Sequence, residues 1–249
     1  MNPLLPFLMA GDPSLEALPR LLSEAKALGL PALELGLPHS DPIADGPVLQ
    51  AAAQRAINRG ATPLRVLEGL AGITDSPDLI LFTYLNPIYT YGYDRFHHDA
   101  AAAGADGVLV LDLPPDEAAQ NSELKPAPDL RHIQLIAPTS PTERIASIAK
   151  CAEGFVYYVS RLGVTGAQAE IASGIAEQVA IIKAATQVPV CVGFGVSNPE
   201  QAATIASKAD GVVVGSAIVK LIEQNGSSAD CAAKLEAFVK PLVGAVHAL

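Results

Sequence analysis

The sequence predicts an α/β fold, a (β/α)8 TIM barrel occupying residues 1–249 as a single domain. Three observations carry this. Short apolar runs rich in Val, Ile and Leu alternate with longer helical patterns eight times, with no break in composition. A length of about 250 residues is the expected size for eight such units. The paired-glycine loops come late in the chain, whereas a doubly wound open sheet, the rival architecture, would carry its glycine fingerprint after the first strand. Here the first run ends in Ala10-Gly11-Asp12-Pro13.

Taken in order, Leu4–Ala10 is the first strand, and Asp12 shapes the turn after it. Ser14 suits the cap of a helix reaching Leu28. Ala32–Leu37 is the second strand, closed by Pro38. Helices follow over Val48–Asn58 and from Pro63. Leu79–Leu85 is the third strand, closed by Asn86-Pro87, with a helix over Arg95–Ala103. Gly107–Leu113 is the fourth, closed by Pro114-Pro115, and His132–Ile136 the fifth. Pro141 suits the first turn of the next helix. Phe155–Ser160 is the sixth strand, followed by RLGVTGA and a helix to Thr186. Pro189–Val192 is the seventh, ending in GFG, and Gly211–Val214 the eighth, ending in GSA before the last helical region.

Half of the residues are apolar and 17% are charged, which supplies a sizeable core and argues against disorder or a coiled coil. The net charge of −10 without a basic cluster argues against a nucleic-acid or anionic-membrane surface. One phosphate on a small substrate needs only local donors and is not excluded. Three scattered cysteines without a CxxC point to free thiols in a reducing compartment. The histidines lack metal-ligand spacing, and no metal site is expected. The start, MNPLLPFLMAGDP, lacks a positive n-region and is broken by Pro3 and Pro6, so it does not read as a signal peptide. A cytoplasmic location is expected.

Barrel chemistry sits at the C-terminal ends of the strands, with a phosphate held by the last loops. Gly193 and Gly195 follow the seventh strand with Val196-Ser197, Gly215 and Ser216 follow the eighth, and Gly166 follows the sixth. Glycines admit an anion close to the backbone, and a helix start offers N–H groups. Singly, such glycines merely turn the chain; three loops at these positions point to a phosphate site. Glu34 alternates with Leu33 and Leu35, so it faces the interior if those two face the helices. A carboxylate there acts as acid and base with a raised pKa, or forms a structural ion pair. Asp45, before Gly46-Pro47, is either a functional acid or an organiser of the following helix; Asp41 before Pro42 reads as a turn former. Asp112 bonds its loop or takes part in catalysis. Of Tyr157 and Tyr158, one faces the interior and one the helices. Arg161 meets a phosphate or pairs with a loop acid.

These residues together resemble the tryptophan synthase alpha subunit family, the indole-3-glycerol-phosphate lyases. The signature LELGxPxSDPxADGP is matched from Leu33 to Pro47. PFLMAGDP, LNPIYTYG, DGVLVLDLPPDE, LIAPTSPTERI, YYVSRLGVTGA, VGFGVSNPEQ and DGVVVGSAIV are similar to family motifs in the same order, nearly end to end. The resemblance implies retro-aldol cleavage of indole-3-glycerol phosphate to indole and glyceraldehyde 3-phosphate, in the last steps of L-tryptophan biosynthesis. It implies Glu34 as the acid/base, Asp45 as the contact to the indole nitrogen and Tyr157 as an active-site tyrosine. Phe7 would line the indole pocket. Gly166, Gly195, Gly215 and Ser216 would bind the phosphate, flanked by Gly193 and Ser197. RLGVTGA, with Arg161 and Thr165, would be a lid. Asp112 and the LPP loop would meet the partner. That partner is a tryptophan synthase beta subunit carrying pyridoxal phosphate in an alpha-beta-beta-alpha heterotetramer, while this chain needs no cofactor of its own.

Two departures stand out. The family usually has a helix ahead of the first strand, and this chain begins almost at that strand, which implies a less covered barrel bottom. His39 stands where the family usually has phenylalanine. Other readings are a stand-alone lyase releasing free indole, a non-catalytic subunit that activates a beta partner, or a related phosphate-binding barrel of the same pathway. Barrels of that last kind share the glycine loops without LELGxPxSDPxADGP.

Overall fold

The computed structural model describes residues 2–124, 128–160, 168–193, 195–226, 228 and 230–248, with backbone alone for 168–173. Nine parallel strands form one sheet: β1 (Leu4–Met9), β2 (Ala32–Gly36), β3 (Asp78–Thr83), β4 (Gly107–Val110), β5 (Arg131–His132), β6 (Gln134–Ile136), β7 (Val156–Val159), β8 (Val190–Gly193) and β9 (Gly211–Val214). Their order is β5-β4-β3-β2-β1-β9-β8-β7-β6. The two ends are consecutive in the chain, so the sheet is a nearly closed barrel whose seam is bridged by Ile133.

That seam changes the expected fifth strand. Arg131–His132 pairs with β4, whereas Gln134–Ile136 pairs with β7. Ile133 turns inward between them, and its N–H donates to Val108 O at 2.9 Å. One continuous run therefore serves two partners.

Around the barrel lie α1 (Leu18–Ala27), α2 (Pro47–Asn58), α3 (Pro63–Leu70), α4 (Leu85–Tyr91), α5 (Tyr93–Ala102), α6 (Pro115–Gln120), α7 (Thr142–Lys150), α8 (Gln168–Ala185), α9 (Pro199–Ala206), α10 (Ser216–Asn225) and α11 (Cys231–His247). The helix expected from Ser14 begins instead as a 3-10 turn over Leu15–Ala17, and the Ser14 side chain caps nothing. Pro19, which has no N–H to give, sits in the first turn of α1, where none is needed. The expected third strand ends two residues early. Leu85 opens α4, and Asn86-Pro87 lies in its first turn rather than in a break. Asp112 makes this possible: its Oδ1 accepts the Leu85 N–H at 2.6 Å, a cap reached across the sheet from the loop after β4. β4 itself stops at Val110, short of the expected Leu113.

Strand alternation sorts the core into two layers. Leu4, Leu8, Leu33, Leu35, Leu81, Val108, Val156, Tyr158, Val192 and Val212 pack outward against the helices. Leu5, Phe7, Met9, Ile80, Phe82, Leu109, Cys191 and Val213 fill the interior, with Tyr157 against them. Each fully buried Leu or Phe contributes roughly 1.5–3 kcal/mol. The interior is close-packed at Gly36. A Cβ on Gly36 would lie 2.5 Å from Phe7 Cζ, closer than van der Waals contact allows. No helix among the described residues is long and apolar enough to cross a membrane.

Candidate active site

The site begins with register. Glu34 of β2 lies between Phe7 of β1 and Ile80 of β3, both interior residues, while Leu33 and Leu35 belong to the outer layer. Glu34 therefore projects into the barrel. It is 1% exposed, and neither carboxylate oxygen has a hydrogen-bond partner among the described residues. The ion pair considered from the sequence is absent there. Desolvation pushes its pKa up to about 8, so the group is a neutral acid at pH 7.

Tyr157 shares the interior with Glu34, and Tyr158 turns to the helix layer. Burial first, then the proximity of the acidic groups of Glu34, Cys191 and Asp45, holds the Tyr157 phenol protonated. Phe7, Phe82 and Tyr157 form an aromatic row. The Phe7 and Phe82 rings meet edge to face at 5.2 Å, and Phe82 and Tyr157 at 6.4 Å. Gly193, on the neighbouring strand, makes space for this row: a Cβ there would collide with the Tyr157 ring and hydroxyl. The glycine expected only to flank a phosphate thus also sets where the tyrosine stands.

Beyond the strand end, residues 38–46 form an irregular loop leading into α2 at Pro47. Asp45 is half-buried there. Burial raises its pKa to about 6, and a hydrogen bond from the Tyr84 hydroxyl opposes the rise. The N-cap of α2 is Gly46, so the Asp45 carboxylate is not spent on the helix. The Asp41 side chain is exposed.

The two late glycine loops lie side by side because β8 pairs with β9. Gly195 has φ +70°, a conformation glycine adopts freely. Ser197 bonds Gln201 through both its N–H and its hydroxyl. Gly215 is the N-cap of α10 and Ser216 its first residue, so the first-turn N–H groups of that helix open toward the barrel mouth. Arg161, Thr165 and Gly166 lie outside the described residues. Among the described residues, no cluster of His, Cys, Asp or Glu has a metal-binding arrangement.

Two residues near the site have surroundings that the sequence does not announce. Tyr84 lies inside the expected third strand, and Ile80, Phe82 and Tyr84 continue a period of two that carries the inner face to the mouth. Asp12, expected to shape a turn, is buried and accepts from Arg55 Nη2 at 2.7 Å and Arg59 Nη1 at 3.1 Å. Arg55 also reaches Glu223 on α10 at 2.7 Å, tying the loop after β1 to α2 and α10. No local pattern announces that network.

A neutral buried acid and a tyrosine inside a (β/α)8 barrel, with a second carboxylate at the mouth, are groups suited to acid–base chemistry in an enzyme of the barrel class. A family model described as tryptophan synthase alpha chain matches residues 1–247. The tryptophan synthase alpha chain of Desulfatibacillum aliphaticivorans is 48% identical over 88% of this chain and 83% of its own length. That of Citrifermentans bemidjiense is 45% identical over 96% and 90%. Among solved structures, tryptophan synthase subunit alpha from Legionella pneumophila superposes with a TM-score of 0.88 at 36% identity, covering 100% of this chain and 94% of that one. A tryptophan synthase chain from M. tuberculosis gives 0.86 at 34%, covering 98% and 92%. The chain belongs to the tryptophan synthase alpha chain family.

Proposed function

We propose that Glu34, Asp45 and Tyr157 form the centre that cleaves indole-3-glycerol phosphate to indole and glyceraldehyde 3-phosphate. As a family member the chain is a carbon–carbon lyase of tryptophan biosynthesis. The observation that carries the residue assignment is the orphaned, neutral Glu34 carboxyl in the barrel interior.

The chemistry suits that state. Glu34 gives its proton to indole C3, leaving a cationic, indolenine-like ring. The Asp45 carboxylate at the ring N–H offsets this charge. Glu34, now a carboxylate, takes the proton from the hydroxyl on the adjoining carbon. The oxygen electrons form the aldehyde carbonyl, and the pair of the breaking C–C bond returns to the ring. One proton enters and one leaves, so Glu34 ends as it began and no redox step occurs. The chain accordingly uses no cofactor of its own.

Phe7 flanks the indole, and Tyr157 borders the reacting carbons. Gly193, Gly195, Gly215 and Ser216, with Gly166, hold the phosphate, whose binding energy aligns the bond to be broken. Arg161 and Thr165 belong to a lid that keeps water out. Residues 1–249 act as one domain in the cytoplasm, paired with a pyridoxal-phosphate beta subunit in an alpha-beta-beta-alpha complex. Neighbours of the same fold are described as tryptophan synthase and not as its alpha subunit alone, which supports a partnered reading. The test is indole release from indole-3-glycerol phosphate by the purified chain, with and without a beta subunit. Stimulation by the beta subunit is expected. Full activity alone would sink partner dependence, and no release in either case would sink the function.

A further inference from the structure

Tyr84 is 3% exposed and stands at the barrel mouth, one step beyond β3 on the inner face. Its hydroxyl accepts the Ala44 N–H at 3.0 Å. A phenol has one proton besides its acceptor lone pairs, so that proton remains available for the carboxylate of the next residue, Asp45. The ring is covered by His39 from the same loop, with centroids 5.2 Å apart. Gln50 braces the loop from the other side, its amide donating to Asp45 O at 2.9 Å. A loop without regular structure is thus gripped at its backbone, its carboxylate and its aromatic side chain, and two of those three contacts are made by the hydroxyl of Tyr84.

We infer that Tyr84 is a positioning residue for the cleavage: its phenol holds the Asp45 carboxylate at the mouth of the barrel, aimed at the ring nitrogen of the substrate. This rests on the role proposed above for Asp45. The titratable groups around this pair are Tyr157 from β7, Asp112 from the loop after β4, and His39 from the loop itself. Burial opposes ionisation of Asp45, and among the described residues the Tyr84 hydroxyl is the neighbour that favours it. Without that hydroxyl, Asp45 holds its proton to higher pH and its carboxylate is free to turn.

The test uses Tyr84→Phe in the full chain, which keeps the ring and its packing. Carboxylate NMR of the free protein reads the Asp45 titration, and the pH profile of kcat reads the reaction. The Asp45 midpoint is expected to rise by roughly half a pH unit or more. The acid limb of kcat should move with it, and plateau kcat should fall about tenfold while KM changes less than about twofold. His39→Phe keeps an aromatic face on Tyr84 and is expected to leave the Asp45 midpoint in place. A Tyr84→Phe protein that melts lower but titrates Asp45 unchanged would overturn the inference. So would an acid limb that moves with His39→Phe instead. Failure of the unmodified chain to release indole would strike the functional reading itself, and the NMR midpoint would still decide whether Tyr84 holds Asp45.

Discussion

Two buried acids, one just after β1 and one within the adjacent β2, have opposite surroundings. Asp12, after β1, is 4% exposed and receives hydrogen bonds from Arg55 and Arg59. Glu34, in β2, is 1% exposed and receives none among the described residues. Burial alone therefore does not mark a catalytic acid. A buried charge that is paired stays charged and ties elements together. A buried acid without a partner gives up its charge instead, which is the state a proton donor at neutral pH requires.

The contrast can be broken most forcefully at Glu34. Glu34→Gln keeps the shape and removes the proton, so kcat should fall by roughly a thousandfold or more, with binding of a phosphate-bearing product analogue retained by calorimetry. Retained turnover would remove Glu34 from the chemistry. Asp45→Asn withdraws the charge proposed to face the ring nitrogen and should cost about a hundredfold in kcat. A KM effect alone would make Asp45 a binding residue.

Asp12→Asn should act on stability rather than chemistry. It leaves two arginines short of their shared acceptor and should lower unfolding free energy by about 1–3 kcal/mol in denaturant titration. Turnover per folded molecule should stay within about twofold. A large loss of turnover with unchanged stability would erase the distinction between the two acids.

The last effect has the opposite sign and appears only as pH rises. The folded-state pKa of Glu34, about 8, lies above its ordinary value of 4.5. Its stabilising contribution is therefore full below about pH 4.5 and is lost as pH rises through 8. Gln does not titrate, so the stability of Glu34→Gln relative to the unmodified chain should rise with pH, by on the order of 4 kcal/mol between pH 4 and pH 8. Melting curves at the two pH values read the difference. A uniform change at both would show that the carboxyl is not being neutralised by burial.

Much of this site could be read in the chain order. Leu33, Glu34 and Leu35 alternate, so an interior Glu34 needs only the knowledge that the leucines face helices. The glycines after β8 and β9 mark the loops at the catalytic end for the same local reason. Tyr84 was also within reach, since the alternation from Ile80 through Phe82 extends to it, but the apolar LILFTYL run reads as strand throughout.

The sequence by itself determined the order of the elements, the face each strand residue presents, and the end of the barrel where the polar residues gather. These depend on backbone periodicity and turn chemistry, which act over a few neighbouring residues. Only the tertiary structure decided which acids are satisfied. Asp12 finds its arginines on α2, and Asp112 reaches back to cap α4. Glu34 finds no partner among the described residues, and the fifth run is shared between two neighbouring strands at the seam. Such pairings arise where separate elements meet, so they depend on how the barrel closes and not on the residues beside them in the chain.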